Sequence, residues 1–204
     1  ISLLARRYNP IRFRDVIDAI ETGKMLPPRP VIVTFDDGYD DNYRIAFPIL
    51  QELGVPATFF VSTGHIESGL PYSYDWFVYM MLRTDATHLR IAELDIDQRL
   101  PETRWQRRAI AIELLDRMKW LCASVQERII SGLEKSWNLP RAQGHVDCRP
   151  MNWDQLREMH AAGMAIESHG VWHNMLAKLP FDAMREEVVG STLALEREIR
   201  APAH

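Results

Sequence analysis

Val31-Ile32-Val33-Thr34-Phe35-Asp36-Asp37-Gly38 is a short β-branched run that ends in two adjacent carboxylates and a glycine. β-Branched residues suit a pleated, packed surface, so the run reads as a buried strand. Gly38 lets the backbone turn sharply after the acids. Asp36 and Asp37 thus fall at a strand's C-terminal end, the side on which α/β sheets bind ligands. Two neighbouring carboxylates repel each other, and one tends to keep its proton. A divalent ion relieves the conflict by binding one and leaving the other free as a base. That arrangement calls for imidazole or carboxylate partners, which Ser168-His169-Gly170-Val171-Trp172-His173 supplies. The plainer alternative is that the aspartates end the strand and cap the helix starting near Asn42.

Working outward, a helical pattern through Ile45, Ile49, Leu50 and Leu53 stops at Gly54, and Pro56 to Ser62 reads as a second strand. Strand, helix, strand makes a βαβ unit and implies a parallel sheet. Asp40 and Asp41 read as caps of that helix, and their spacing fails the calcium-loop pattern. Tyr39 follows the turn and either lines a site or packs as an ordinary aromatic. His65 reads as a loop residue. Met164 to Glu167 is a third strand that delivers His169 and His173 to the same face. Four residues apart, the two histidines suit one side of a helical turn. Glu167 is either an acid supporting them or a surface residue. Phe181 to Ile199 reads as an amphipathic helix with Met184, Val188, Leu195 and Ile199 on one side. Upstream, Arg12 to Thr22 reads as a helix that stops at Gly23.

Residues from about 68 to 150 differ in character. Helical periodicity runs through Ala109, Ile112, Leu115 and Met118, then through Val125, Ile129 and Leu133, with Ser124 as a cap. This reads as a mainly helical insert between the second and third strands of one domain spanning 1–204. Its entry, Tyr72, Tyr74, Trp76 and Phe77, suits either a sugar-stacking groove or the insert's own core.

Thr34-Phe35-Asp36-Asp37-Gly38, followed by His169-Gly170-Val171-Trp172-His173, resembles the paired motifs of the polysaccharide deacetylase family (NodB-homology, carbohydrate esterase 4). Asp40 to Tyr43, Gly54 to Val61 and Ala162 to Glu167 also look family-like. The resemblance implies an α/β fold, a distorted (β/α) barrel, here C-terminally incomplete. It implies one divalent ion, zinc first and cobalt or another as an alternative, held by Asp37, His169 and His173, with Asp36 as catalytic base. It implies removal of N-acetyl groups from an N-acetylated glycan: exopolysaccharide, chitin-like polymer or peptidoglycan. Tyr39 is the candidate substrate contact. The rival readings are an amidohydrolase on a small N-acyl substrate and a non-catalytic glycan-binding relative. The chain departs from the family pattern at Gly170, where the family carries Ser or Thr, so loop orientation must come from elsewhere. The family's later motifs are also missing.

Composition bounds these readings. The chain has 204 residues, 47% hydrophobic and 25% charged, as in a soluble globular protein. A formal net charge of −4 implies no broad basic surface for nucleic acid. No apolar run reaches transmembrane length. Cys122 and Cys148 form neither a disulfide framework nor a metal pair. With no visible leader, the cytoplasm or a membrane's inner face is slightly favoured, and an extracytoplasmic location stays open.

Overall fold

In the computed structural model, which describes residues 1–199, the stretch from Pro30 to Phe35 is extended and has neighbours on both edges. Helix α1 (Ser2–Arg7), strand β1 (Asn9–Pro10) and helix α2 (Phe13–Thr22) precede it. Helix α2 ends at Gly23, whose φ of 73° is the left-handed cap that glycine adopts without penalty. The stretch itself is β2 (Pro30–Val31) and β3 (Thr34–Phe35). β1 pairs in parallel with β2, and β3 with β4 (Thr58–Val61). On its far edge β4 pairs in parallel with β7 (Ala165–Ser168). Among the described residues these ladders form an open arrangement and no closed barrel.

The register places the site. Phe35 lies opposite Phe59, and Val61 opposite Ser168. The ends of β3, β4 and β7 therefore stand side by side, and Asp36, Ser62 and His169 follow them. Stacking of Phe35 on Phe59, with centroids 4.8 Å apart, locks the first pair. Below, Leu50, Phe59 and Leu156 are fully buried, each burial being worth about 1.5–3 kcal/mol.

The helix after the aspartates departs from expectation. Residues Asn42–Ala46 form a π-helical turn that leads into α3 (Phe47–Glu52). Pro48 has no N–H to give to the carbonyl four residues back, and the Phe47 N–H reaches five residues back, to Asn42 O. No side chain caps this turn. Asp40 is instead buried, accepting from Arg44 and, at 2.8 Å, from Gln155.

Helix α4 (Thr63–Ser68) follows β4. The chain then forms a second compact unit, Leu70–Arg149, before returning to the first at Pro150. The second unit holds α5 (Ser73–Arg83), an antiparallel hairpin of β5 (His88–Ile91) and β6 (Ile96–Arg99), α6 (Arg104–Met118) and α7 (Ala123–Trp137). Trp76 and Phe77 are core residues there, and the Trp76 indole N–H donates to Leu139 O at 3.0 Å. The N-cap of α7 is Cys122, not the expected Ser124. Cys148 is buried, and loss of hydration pushes its thiol up to about 11.

In the first unit, α8 (Trp153–Ala161) starts with an Asn152–Gln155 capping box. Helix α9 (Phe181–Ile199) closes it. The inward stripe of α9 is Glu187, Ser191, Leu195 and Ile199, whereas Val188 is exposed. Leu195 and Ile199 face inward as expected, and the correction is at Val188: Glu187 and Ser191 continue the inward stripe at a period of four. No described helix is long and apolar enough to cross a membrane.

Candidate metal centre

The first half of the site is the turn after β3. The Gly38 N–H donates to Asp36 O at 2.8 Å, and Asp37 between them has a φ of 71°. This is a γ-turn whose central residue sits in the left-handed region, a strained state for any residue but glycine. Gly38 itself has a φ of 84°, and a Cβ there would stand 3.0 Å from Val61 Cγ1. Its carbonyl accepts from the Met151 N–H at 2.8 Å. The turn therefore projects the Asp37 carboxylate above the strand ends and leaves Asp36 exposed to solvent.

The second half is the loop after β7. The His169 N–H donates to Val61 O, which carries the ladder one residue further. Gly170 (φ 81°) and His173 (φ 58°) then reverse the chain. The loop is not helical, which corrects the expected helical turn: two left-handed residues fold it back and bring both imidazoles to one point. Nε2 of His169 and Nε2 of His173 each lie 3.3 Å from the same atom, Asp37 Oδ1.

This set fits a divalent ion. One donor atom from each of the three residues lies within 4.8 Å of the others. A tetrahedral zinc bound at about 2.0–2.1 Å separates its ligand atoms by roughly 3.3–3.4 Å. Two imidazoles and one carboxylate also leave positions for water and substrate. The two rings differ in electrostatics. The hydrogen bond to Asp37 raises His169 above the usual histidine value, reinforced by the charges of Asp37 and Asp36. Burial lowers His173, and the neighbouring His169 adds to that against the pull of the acids.

Other candidates fall elsewhere. Asp40 points into the Arg44–Gln155 pair and Asp41 stays exposed. His65 is buried in α4, not in a loop, with its ring edge-on to Trp172 at 5.5 Å. Tyr39 is half-buried and bridges to Pro150.

The family profile for polysaccharide deacetylases matches residues 23–202, across both halves of this site. The chain belongs to the polysaccharide deacetylase family. A poly-β-1,6-N-acetyl-D-glucosamine N-deacetylase of Escherichia coli K12 is 44% identical over 50 residues, 24% of this chain and 7% of that protein. Among solved structures, the Streptococcus pyogenes deacetylase PplD in complex with acetate superposes with a TM-score of 0.56 at 17% identity, covering 98% of this chain and 55% of that one. The BpsB deacetylase domain of Bordetella bronchiseptica gives 0.51 at 21% identity, over 97% and 62%. The likeness to both structures is one of fold, and this polysaccharide deacetylase chain spans little more than half the length of either.

Sequence reading missed Glu187. It lies in α9 among helix-pattern residues, and no local motif marks it. The signal available was Gly170, whose missing hydroxyl called for an outside support.

Proposed function

We propose that the protein is a metal-dependent N-deacetylase of an N-acetylated polysaccharide. The observation that carries this reading is the convergence of two imidazoles on one Asp37 oxygen, next to a second carboxylate. Asp37, His169 and His173 hold the ion, zinc first. When bound, it polarises an acyl carbonyl and acidifies water. Asp36 lies outside the Asp37–His169–His173 ligand group, and its charge acts on both rings. That is the place of a general base. It takes a proton from water as the water oxygen adds to the acetyl carbon. Asp36 returns that proton to the nitrogen as the C–N bond breaks, and the amine and acetic acid released settle as ammonium and acetate. Tyr39, half-buried after the aspartate turn, and Trp172, half exposed within the histidine loop, are the rings that would contact the sugar.

A poly-β-1,6-linked N-acetylglucosamine chain is the substrate to try first, because the curated relative acts on it. Acetate release is measured from that polymer with zinc or cobalt added. Asp36→Asn should keep the ion and lose turnover by about 10²–10⁴-fold, the usual worth of a general base. Asp37→Ala should lose both. Unchanged turnover in Asp36→Asn removes the base assignment, and undiminished ion binding in Asp37→Ala removes the metal centre.

A further inference from the structure

Among the described residues the buried acids are Asp40 and Glu187, and the chemistry above does not use Glu187. A buried carboxylate is costly unless its oxygens are satisfied. Those of Glu187 are satisfied from one place. Oε2 accepts from the Val171 N–H at 2.7 Å and the Trp172 N–H at 2.9 Å, and Oε1 accepts from Asn174 Nδ2 at 2.6 Å. All three donors flank His173 or lie between it and His169.

The rest of the loop backbone is anchored from other directions. The Gly170 N–H donates to Ser168 Oγ, which pairs with Ser191 Oγ one turn along α9 from Glu187. The N–H groups of Thr63 and Gly64 donate to the carbonyls of Gly170 and Val171. Without Glu187, the part-buried N–H groups of Val171 and Trp172 lose their acceptor. His173, held at positive φ, needs that surrounding restraint to persist. Gly170 completes the fit, because a Cβ there would lie 2.8 Å from Glu187 Oε2. A side chain at 170 and the carboxylate of 187 compete for one space.

We propose that Glu187 is the positioning residue of the histidine loop and that Gly170 is its complement, the carboxylate occupying the space beside residue 170 and fixing the approach of His173 to Asp37. Its effect on ion affinity rests on the metal-centre reading; the restraint on the loop does not.

The test uses the full chain as wild type, Glu187→Gln and Gly170→Ala, with two readouts: amide hydrogen exchange without metal, and titration with cobalt(II) alone. In Glu187→Gln, exchange at 170–174 should rise about tenfold or more while the strands keep their protection. Cobalt affinity should fall about 10–100-fold, as for a lost outer-shell partner. Gly170→Ala should reproduce both effects from the other side. Unchanged exchange at 170–174 overturns the proposal. So does unchanged cobalt affinity in a variant whose loop has loosened, or acceleration spread evenly over the whole unit. If Glu187→Gln does not fold, Gly170→Ala decides by the same readouts. If the wild type takes up no cobalt, the metal-centre reading fails, and the exchange result alone decides the restraint.

Discussion

Two loops meet at Asp37 Oδ1, and they are held by different kinds of neighbour. The aspartate turn takes much of its restraint from nearby sequence, its own γ-turn, the side chain of Val61 against Gly38 and Arg44 on Asp40, with Gln155 and the Met151 N–H as distant partners. The histidine loop is fixed from a distance, by a carboxylate 16 residues beyond Val171 and by the first turn of α4 more than a hundred residues before it. A turn built from its own residues is rigid as soon as its strand pairs. A loop hung on a remote helix is placed only when that helix docks. The difference predicts that the first loop carries stability and the second carries placement.

The largest effect should come from adding one methyl group to each loop. In Gly38→Ala, the new Cβ enters the left-handed region 3.0 Å from Cγ1 and 3.1 Å from Cβ of Val61, a buried strand residue that cannot yield. The combined strain and overpacking should cost about 2–4 kcal/mol. In Gly170→Ala, the neighbour is the end of the Glu187 side chain, which can swing aside. There the loss should be about 1–2 kcal/mol from the backbone, plus the part of the displaced Glu187 hydrogen bonds that water does not replace. Urea midpoints of the two variants decide between them. A Gly170→Ala loss equal to that of Gly38→Ala would break the comparison.

The same contrast explains what the sequence could reveal. Asp36 and Asp37 were legible because β-branched residues run straight into them and a glycine follows. His169 and His173 were legible because a second strand pattern ends just before them. Parallel pairing then brings the two strand ends together, so Asp37, His169 and His173 share one place. The left-handed residues that deliver them were not legible, because Asp37 and His173 carry no sign of positive φ as a glycine does. Nor was the polar half of the inner face of α9. Hydrophobic periodicity weights Val188 and Met184, whereas packing selects Glu187 and Ser191 for their hydrogen bonds. The π-helical turn after Asp41 escaped for a similar reason, since its cause is an amide hydrogen that Pro48 lacks.

Asp40 gives a second, smaller way to sharpen the comparison. It is 2% exposed, and Asp40→Ala leaves Arg44 and Gln155 without their acceptor. The cost should be about 1.5–3 kcal/mol, the range for hydrogen bonds to a charged group. Asp41→Ala, at an exposed position, should stay within about 0.5 kcal/mol. Thermal unfolding of both variants checks this. Equal shifts would mean that the turn does not depend on its buried acid.

The smallest effect is the most specific to the histidine loop, and it concerns pH. His169 is raised above the ordinary value of 6.5 by its bond to Asp37, whereas burial lowers His173. In the metal-free protein a raised histidine contributes stability that is fully present below its unfolded value and is lost as pH rises through the folded one. A metal ion reverses the sign, because it binds only the neutral imidazole and competes with the proton. The rise in Tm on adding zinc should therefore shrink as pH falls through the raised His169 value and on below 6.5, and grow as pH rises to 8. His173, lowered by burial, gives up its proton more readily than His169 and adds less to the trend. The check is a pair of melting series, with and without zinc, at fixed metal concentration. A zinc-induced shift that stays constant across the window would show that no proton leaves His169 on binding, and that the ion sits elsewhere.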